Sequence, residues 1–282
     1  MRKQDSLMSD IYITTLSAPS PACQPVEIVE RKGLGHPDTV CDALAEELSR
    51  SLCRFYLDNF GLILHHNVDK VLLWGGMSRA VFGGGQVTQP MEIFLAGRAT
   101  CEYRGKQVPV DELVEESCQS WLKHSFHALD YDRHVKIHSL IRPGSAELVD
   151  LYLRQQESGV ALANDTSCGV GYAPLDDLEQ VVLEVEKHLN SEAVKATHRA
   201  IGEDVKVMGV RNRDTIRLTI ACAFIDRFVA DVDEYVACKA DVASLALDSA
   251  SRITSNKVTV AVNTADDISS GSLYLTVTGT SA

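Results

Sequence analysis

The chain has 282 residues, of which 45% are hydrophobic and 23% charged, a composition that excludes a disordered or fibrous protein. Its net charge of −12 excludes a general electrostatic attraction to nucleic acid or to an anionic membrane. An anionic substrate would therefore have to be held by local lysines and arginines, by helix ends or by metal ions.

The cysteines and the N-terminus indicate where the protein works. The eight cysteines are scattered, without a Cys-x-x-Cys pair or zinc spacing, and most lie in apolar segments. The N-terminal residues are polar, and no apolar run reaches the roughly 18 residues of a membrane span. We therefore expect free thiols and a cytoplasmic location.

Residues 1–25 are predicted to form an N-terminal arm, and residues 26–282 the folded domain. In the arm, the segment IYITTL (residues 11–16) could form a short edge strand. Pro19, Pro21 and Pro25 follow it, and three prolines in seven residues cannot continue a helix or a central strand.

The other elements are arranged around the stretch Val26–Arg50. An alternating apolar segment is followed by GLGHPD at positions 33–38. Behind it, apolar residues repeat every four positions, at Val40, Leu44, Leu48 and Leu52. This pattern predicts a strand, a glycine turn and a helix N-terminus. Glycines allow close backbone approach and a helix start attracts anions, so the layout suits a phosphorylated ligand. The local pattern fits equally a plain turn with a surface histidine and a capping aspartate at Asp38.

Helices and strands alternate along the rest of the chain. Periodicity predicts helices over Val40–Phe60, Val110–Phe126, Leu178–Leu189 and Asp231–Ser249, and strands over Leu62–Trp74, Met91–Ala96, Val135–Ile141, Val205–Val210, Thr215–Ile225, Val258–Val262 and Leu273–Val277. Glycine turns are predicted at residues 82–86, 142–145 and 163–171. Antiparallel-looking strand pairs mixed with helices indicate an α+β fold rather than a doubly wound parallel sheet.

Polar groups are concentrated in clusters far apart in sequence, around His36, Gly144 and Asp165, in GEDVK (202–206), which places Lys206 at the mouth of a strand, and in NTADD (263–267). One such cluster means little. Several meeting in one cleft would supply carboxylates for Mg²⁺, a lysine for a phosphate and a histidine for the reacting centre.

Four ordered segments, VERKGLGHPDTVCDALAEELSR, LANDTSCGVGYAPL, GEDVKVMGVR and VNTADD…YLTVTGTSA, resemble the archaeal-type S-adenosylmethionine synthetases (methionine adenosyltransferases). The resemblance covers nearly everything from Val26 to Ala282. It implies three sheet-and-helix subdomains around a pseudo-threefold axis, the third incomplete here, and a homodimer with active sites between subunits. It also implies formation of S-adenosylmethionine from ATP and L-methionine, with release of phosphate and pyrophosphate, using Mg²⁺ and commonly K⁺.

The resemblance gives His36 and Lys206 catalytic roles. His36 would donate a hydrogen bond near the triphosphate and the C5′ oxygen as charge develops, and Lys206 would reach the triphosphate. An ordinary strand-end lysine remains the alternative for Lys206. Glu30 would line the substrate or cation site, unless it is merely a solvated strand residue.

The resemblance also implies binding residues for methionine, metal and ATP. Asp165 would hold the methionine amino group or adjacent polar atoms, with Asn164 shaping the turn. Asp38 would bind Mg²⁺, and Asp69 is a weaker candidate for a cation site. ATP would contact backbone N–H groups of a turn that could equally be a plain one, formed by Arg142, Pro143, Gly144, Ser145, Ala146 and Glu147.

The sequence departs from the family in two places. The family's chain continues after TGTSA into a Gly- and Asp-rich, arginine-bearing segment, and the FGGG turn is usually followed by Glu where this chain has Gln86. Two hypotheses follow. The first is a methionine adenosyltransferase whose chain is incomplete or whose missing part comes from elsewhere, and the second is a truncated non-catalytic relative that binds nucleotide or pairs with a complete subunit. We expect little activity from these 282 residues alone.

Overall fold

The computed structural model describes residues 11–15, 17–144, 152, 154, 159 and 169–282. The helices within these residues are α1 (Pro37–Phe60), α2 (Val110–Ser125), α3 (Tyr131–His134), α4 (Asp177–Leu189), α5 (Glu192–Thr197) and α6 (Val232–Ser251). The strands are β1 (Val26–Lys32), β2 (His66–Trp74), β3 (Met77–Arg79), β4 (Gln86–Gln89), β5 (Met91–Ala99), β6 (Glu102–Tyr103), β7 (Lys106–Gln107), β8 (Val135–Pro143), β9 (Ile201–Asn212), β10 (Thr215–Ile225), β11 (Lys257–Val262) and β12 (Leu275–Thr276). None of these helices is both long and apolar enough to cross a membrane.

Two sheets organise these elements. The larger sheet has the order β1-β9-β10-β11, with β12 also paired to β10, and the smaller sheet has the order β2-β5-β8. β9 pairs antiparallel with both β1 and β10, whereas β11 runs parallel to β10. In the smaller sheet β2 and β5 are antiparallel, and β8 runs parallel to β5.

Both sheets are built by the same succession of elements. A helix precedes two antiparallel strands, and a second helix then crosses over to a parallel third strand: α1-β2-β5-α2-β8 in one case, α4-β9-β10-α6-β11 in the other. Parallel neighbours need such a crossover, which is usually a helix. The predicted α+β fold is confirmed, and the described residues contain two sheet-and-helix subdomains of matching order. The threefold axis stays a prediction.

Each subdomain has its own apolar core. The predicted apolar stripe of α1, Val40, Leu44, Leu48 and Leu52, is at most 1% exposed, and Tyr56, four residues further on, is also fully buried. These side chains pack with residues of the smaller sheet and of α2. Full burial of each leucine is worth about 1.5–3 kcal/mol. In the second subdomain α4 and α6 contribute to a core with β9, β10 and β11.

The opposite face of the larger sheet is apolar but open. On β1 the side chains of Val26 and Ile28 are 50% and 65% exposed, and neighbouring Met208 on β9 is 36% exposed. In the smaller sheet, the apolar residues Leu72 and Trp74 are likewise open to solvent, at 59% and 63% exposure.

Most predicted elements agree with the structure to within a few residues, but three predictions were wrong. Residues 11–15 of IYITTL form no strand. Arg142 and Pro143 do not form a turn but continue β8, where proline is tolerated because β8 is an edge strand. Lys206 lies in the middle of β9 rather than at a strand mouth, because the polar GEDVK residues are part of that strand.

Candidate active site

The glycine turn before α1 lies directly against β9. The Gly33 amide donates to the Val205 carbonyl at 2.7 Å, and the Gly35 amide donates to the Glu203 carbonyl at 2.9 Å. A Cβ at Gly35 would lie 2.5 Å from the Asp204 nitrogen, a distance that no side chain tolerates. Glycine is required here because two backbones touch.

His36 is the N-cap of α1. Its Nδ1 accepts a hydrogen bond from the Asp38 backbone N–H at 3.1 Å, and Pro37 occupies the first helical position. Since Nδ1 is the acceptor, a neutral His36 carries its proton on Nε2. The side chain is 20% exposed and sits at the positive end of a 24-residue helix.

Two lysines share one face of the sheet with two carboxylates. Lys32 Nζ lies 2.5 Å from Asp38 Oδ2, and Lys206 Nζ lies 3.1 Å from Glu30 Oε1. Lys32 on β1 is paired directly opposite Lys206 on β9. Side chains directly opposite in a sheet point to the same face, so the two ammonium groups are neighbours.

The charges at this site act on one another. The hydrogen bond and charge of Lys32, with smaller contributions from His36 and Lys206, lower the pKa of the Asp38 carboxyl. The hydrogen bond and charge of Asp38 in turn raise the pKa of Lys32. Both side chains are largely exposed, so these shifts show which groups interact rather than a large contribution to stability.

Together these groups suit a polyanionic ligand. The Nε2–H of His36 and the ammonium groups of Lys32 and Lys206 are all donors, and they lie near the positive end of α1. No group of three or more His, Cys, Asp or Glu side chains within the described residues could hold a metal ion. Mg²⁺ is commonly bound through one or two carboxylates and the phosphates of a substrate, and the exposed carboxylates of Asp38 and Glu30 fit that mode.

The structure thus brings together four of the predicted site residues: Glu30, His36, Asp38 and Lys206. Asp69 is not among them, because it lies on β2 of the other sheet and its carboxylate pairs with Lys70 at 2.7 Å. Arg142 and Pro143 lie in β8 of that smaller sheet, and Gly144 follows them. The remaining predicted residues, Ser145, Ala146, Glu147, Asn164 and Asp165, lie outside the described residues.

Lys32 was missed by the sequence analysis. The signal was present, since Lys32 comes two residues after Glu30 in a strand and so falls on the same face.

The sequence analysis also did not single out Asp204 and Asp226. Both are buried, and each accepts hydrogen bonds from a segment far away in the chain. Asp226 accepts hydrogen bonds from the amides of Gly85 at 2.7 Å and Val81 at 3.2 Å, and so holds the FGGG turn. Asp204 accepts from the Ser281 hydroxyl at 2.6 Å and from the Tyr274 hydroxyl at 3.1 Å.

The NTADD segment has a structural role in its second half. Asp266 accepts hydrogen bonds from Lys239 Nζ at 2.7 Å and from the Tyr235 hydroxyl at 2.9 Å, and its side chain is 7% exposed. Burial is the main cause that raises the pKa of Tyr235, so this phenol remains a donor. The carboxylate is therefore committed to internal partners.

A model of the family described as S-adenosylmethionine synthetase (AdoMet synthetase) matches residues 9–282. The chain belongs to this family. It is 52% identical over 276 residues to a probable S-adenosylmethionine synthase of Aquifex aeolicus, covering 98% of this chain and 69% of that protein. The S-adenosylmethionine synthases of Methanothrix thermoacetophila and Pyrococcus furiosus are 49% and 48% identical, each over 92% of this chain and over 64% and 65% of their own lengths.

The chain therefore spans about two thirds of the length of these curated S-adenosylmethionine synthases. A solved structure of an unusual S-adenosylmethionine synthetase from Campylobacter jejuni is 14% identical, with a TM-score of 0.47, and covers 86% of this chain and 59% of that one. So distant a match adds nothing to the assignment, which rests on the sequence relatives.

Proposed function

We propose that the protein is a methionine adenosyltransferase, which forms S-adenosylmethionine from ATP and L-methionine and releases phosphate and pyrophosphate. The observation that carries this proposal is that His36, at a helix N-terminus, lies on the same site as Lys32 and Lys206 of the adjoining strands. Membership of the S-adenosylmethionine synthetase family supports it.

In the proposed reaction the methionine sulfur attacks C5′ of ATP. The S–C5′ bond forms, the C5′–O bond breaks, and the bonding pair leaves with the triphosphate. A thioether is a weak nucleophile, so catalysis depends on alignment and on stabilising the charge that develops on the leaving group. The Nε2–H of His36 donates to that developing charge, which for one well-placed donor is worth about 10²–10³ in turnover.

Lys32 and Lys206 hold the triphosphate, and they release their carboxylate partners when it binds. In the free protein each ammonium group is paired with a carboxylate, at 2.5 and 3.1 Å. Exposed pairs of this kind are worth about 0–1 kcal/mol, so a polyanion can replace the carboxylates at little cost. In the second half of the reaction water attacks an end phosphorus of the triphosphate, the P–O bond to the rest of the triphosphate breaks, and phosphate and pyrophosphate are released. The same two cations hold the charge of the triphosphate during this step.

Asp38 and Glu30 would hold Mg²⁺ together with the phosphate oxygens, since freeing Lys32 and Lys206 exposes both carboxylates. When bound, Mg²⁺ would neutralise part of the negative charge of the triphosphate.

K⁺ is proposed as a second cation because of the family resemblance. Asp165 and Asn164 for methionine, and the turn over residues 142–147 for ATP, remain proposals on the same basis.

A homodimer with active sites between subunits is also part of the proposal. The open apolar strip of Val26 and Ile28 continues along β1 into Glu30 and Lys32 on the same face. A second copy covering that strip would border the lysines.

A cytoplasmic location is supported by the seven cysteines in the described part of the chain, all of which are free thiols.

The test is an assay of the purified chain with ATP, L-methionine, Mg²⁺ and K⁺, following S-adenosylmethionine and phosphate together. We expect little product from these 282 residues alone and more from the extended sample described next. In that sample His36→Ala should lower turnover by about 10²–10³, whereas His124→Ala, a matched change on α2, should leave it unchanged. A parallel sample joins the chain to the part of the Aquifex relative that it does not match. Product from neither sample would contradict the proposal and favour a non-catalytic nucleotide-binding relative.

A further inference from the structure

The glycine turn before α1 (residues 33–36) rests on the C-terminal end of α4 as well as on β9. A Cβ at Gly33 would lie 2.8 Å from Asn190 Nδ2 and 3.0 Å from Glu186 Oε1. Glu186 lies in the last turn of α4, and Asn190 is the C-cap of that helix. The turn that carries His36 is therefore in contact with two polar side chains that the proposed reaction does not use.

The carboxylate of Glu186 is buried, and each of its oxygens accepts a hydrogen bond. Oε1 accepts from Asn190 Nδ2 at 2.7 Å, and Oε2 accepts from Arg31 Nε at 3.2 Å. The Glu186 side chain is 5% exposed, whereas the Arg31 side chain is half exposed. A charge with so little access to water is tolerated because both oxygens have donors.

This carboxylate is unfavourable for α4 itself. The C-terminal end of a helix is the negative end of its dipole, and burial takes water away from the charge. The other buried side chains of α4 are all apolar: Leu178, Val181, Val182, Val185 and Leu189. An apolar residue at position 186 would suit the helix and its core better, so the reason for a glutamate lies in its partners.

One partner of Glu186 leads to the backbone beneath the turn. Asn190 Nδ2, which donates to Glu186, also donates to the Glu203 carbonyl at 3.3 Å. The same carbonyl accepts the Gly35 amide at 2.9 Å. The end of α4 and the turn are thus joined at one carbonyl oxygen of β9.

The other partner of Glu186 leads to the strand that enters the turn. Arg31 immediately precedes Lys32 on β1, and successive side chains of a strand point to opposite faces of the sheet. β1 therefore presents Lys32 to the candidate active site and Arg31 to α4. A shift of Arg31 away from Glu186 would move the backbone that carries Lys32.

We propose that Glu186 is a positioning residue, which holds the end of β1 and the glycine turn against α4 through Arg31 and Asn190. Backbone hydrogen bonds already join this turn to β9, so the network is a further attachment, and its loss loosens the turn without releasing it. The catalytic consequence, a less exact placement of His36 and Lys32, rests on the proposed function. The structural consequence does not.

The test compares the full chain with Glu186→Gln, which keeps the shape of the side chain. The one amide oxygen of glutamine cannot replace two carboxylate oxygens, and its NH2 group faces a donor. We expect the amides of Gly33, Gly35 and His36 to exchange their hydrogens about three- to tenfold faster, as loss of one hydrogen bond predicts.

Turnover is measured on the chain joined to the part of the Aquifex relative that it does not match. In that sample kcat of Glu186→Gln should fall by a similar factor, because the donor of His36 is less well placed. KM for ATP should change little, because Lys32 and Lys206 are still present to hold the triphosphate.

Glu27→Gln is the matched control. Glu27 lies at the other end of β1 and forms a buried pair with Arg211 at 2.9 Å, with 7% and 11% exposed side chains. This variant also removes a buried carboxylate from an arginine, so it should lower the free energy of unfolding in denaturant. It should leave the exchange of the turn amides and kcat unchanged.

Arg31→Met combined with Glu186→Met separates positioning from stability. Replacing an ion pair by apolar residues of similar volume is often neutral for stability. We therefore expect the free energy of unfolding to return toward the wild-type value. Exchange of the turn amides and kcat should not recover, because Asn190 still lacks its acceptor on α4.

Unchanged exchange of the turn amides and unchanged kcat in Glu186→Gln would overturn the proposal. An equal effect of Glu27→Gln, or recovery of kcat in the double variant, would do the same. If Glu186→Gln does not fold, Asn190→Ala removes the contact to the Glu203 carbonyl and should quicken the same exchange. Exchange needs no turnover, so absence of S-adenosylmethionine would contradict the proposed function and leave this inference testable.

Discussion

The Nδ1 of His36 accepts a hydrogen bond from the backbone N–H of Asp38 at 3.1 Å. This one contact gives the imidazole two tasks. It caps α1, and it assigns the proton of the neutral ring to Nε2. The capping role and the proposed catalytic role therefore belong to different nitrogens, and substitution can separate them.

His36→Asn should retain the cap and lose the catalytic donor. Asparagine is among the best N-cap residues, so we expect the free energy of unfolding to change by only a few tenths of a kcal/mol, against a loss of about 1 kcal/mol for His36→Ala. Turnover should fall by about 10²–10³ in both, because neither places a donor where Nε2–H was. Denaturant unfolding and a turnover assay on the same samples measure the two effects.

Asp231→Ala serves as the control for this pair of variants. Asp231 caps α6 by accepting from the Glu234 amide at 2.9 Å, so its loss should cost about 1 kcal/mol without changing turnover. A His36→Asn variant with near wild-type turnover would show that the Nε2 donor is not catalytic.

The pair Lys32–Asp38 gives a prediction about pH and metal. Since Lys32 lowers the pKa of Asp38, the small stability from this pair is present above the ordinary aspartate range and is lost as pH falls through the depressed pKa. In Lys32→Gln the pKa of Asp38 should rise toward the ordinary aspartate range, because the hydrogen bond and the charge of Lys32 are lost. The Mg²⁺ concentration for half-maximal turnover should fall, because no ammonium group competes for the carboxylate.

Lys70→Gln is the matched control, because Lys70 pairs with Asp69 at 2.7 Å and lowers the pKa of that carboxyl in the same way. NMR titration measures the pKa of the Asp38 and Asp69 carboxyls in each variant. The dependence of turnover on Mg²⁺ concentration then shows which of these two carboxylates belongs to the cation site. A shift in Mg²⁺ requirement in Lys70→Gln and none in Lys32→Gln would move the cation site from Asp38 to Asp69.

Local pattern predicts local structure well in this chain. The four-residue stripe from Val40 to Leu52 predicted α1, and the structure buries every member of it. Pro37 and Asp38 predicted its start, because their constraints act within one helical turn. The proximity of Lys206 to His36 came from family resemblance, since register between β1 and β9 is not encoded in either strand alone.

Long-range polar contacts could not be predicted from pattern. Asp226 stabilises a turn 141 residues earlier in the chain through Gly85, and Asp204 holds Ser281, 77 residues later. The residues next to Asp204 and Asp226 in the sequence give no indication of these distant partners. The extent of β9 was underestimated for a related reason, because buried Glu203 and Asp204 are stabilised by partners from other elements.

Gly35→Ala should damage stability and activity together. The new Cβ would meet the Asp204 nitrogen at 2.5 Å and the Glu203 Cβ at 2.6 Å, and backbone cannot move aside cheaply. Overpacking of this kind costs about 1–3 kcal/mol, and the shift displaces His36. Gly75→Ala, whose Cβ would be 3.6 Å from its nearest neighbour, should be nearly neutral in denaturant unfolding and turnover. Equal stability of the two variants would show that the turn does not rest on β9.

The open face of the larger sheet predicts the oligomeric state. Ile28 lies directly opposite Val210, and Glu30 lies directly opposite Met208, so an apolar strip runs up to Lys32 and Lys206 without a break. Exposed apolar patches bordered by polar residues mark interaction surfaces, and a stable dimer needs about 800 Å² from each partner. A charge placed at the centre of this strip would lose its hydration on association.

Ile28→Lys should therefore convert a dimer into a monomer and lower turnover at the same protein concentration. Leu57→Lys, at an exposed apolar residue of α1 that is 48% accessible, should change neither. Light scattering gives the mass, and a dilution series of turnover shows whether activity follows dimer concentration. If Ile28→Lys remains dimeric, the interface lies elsewhere; if it is monomeric and fully active, each active site is complete within one subunit.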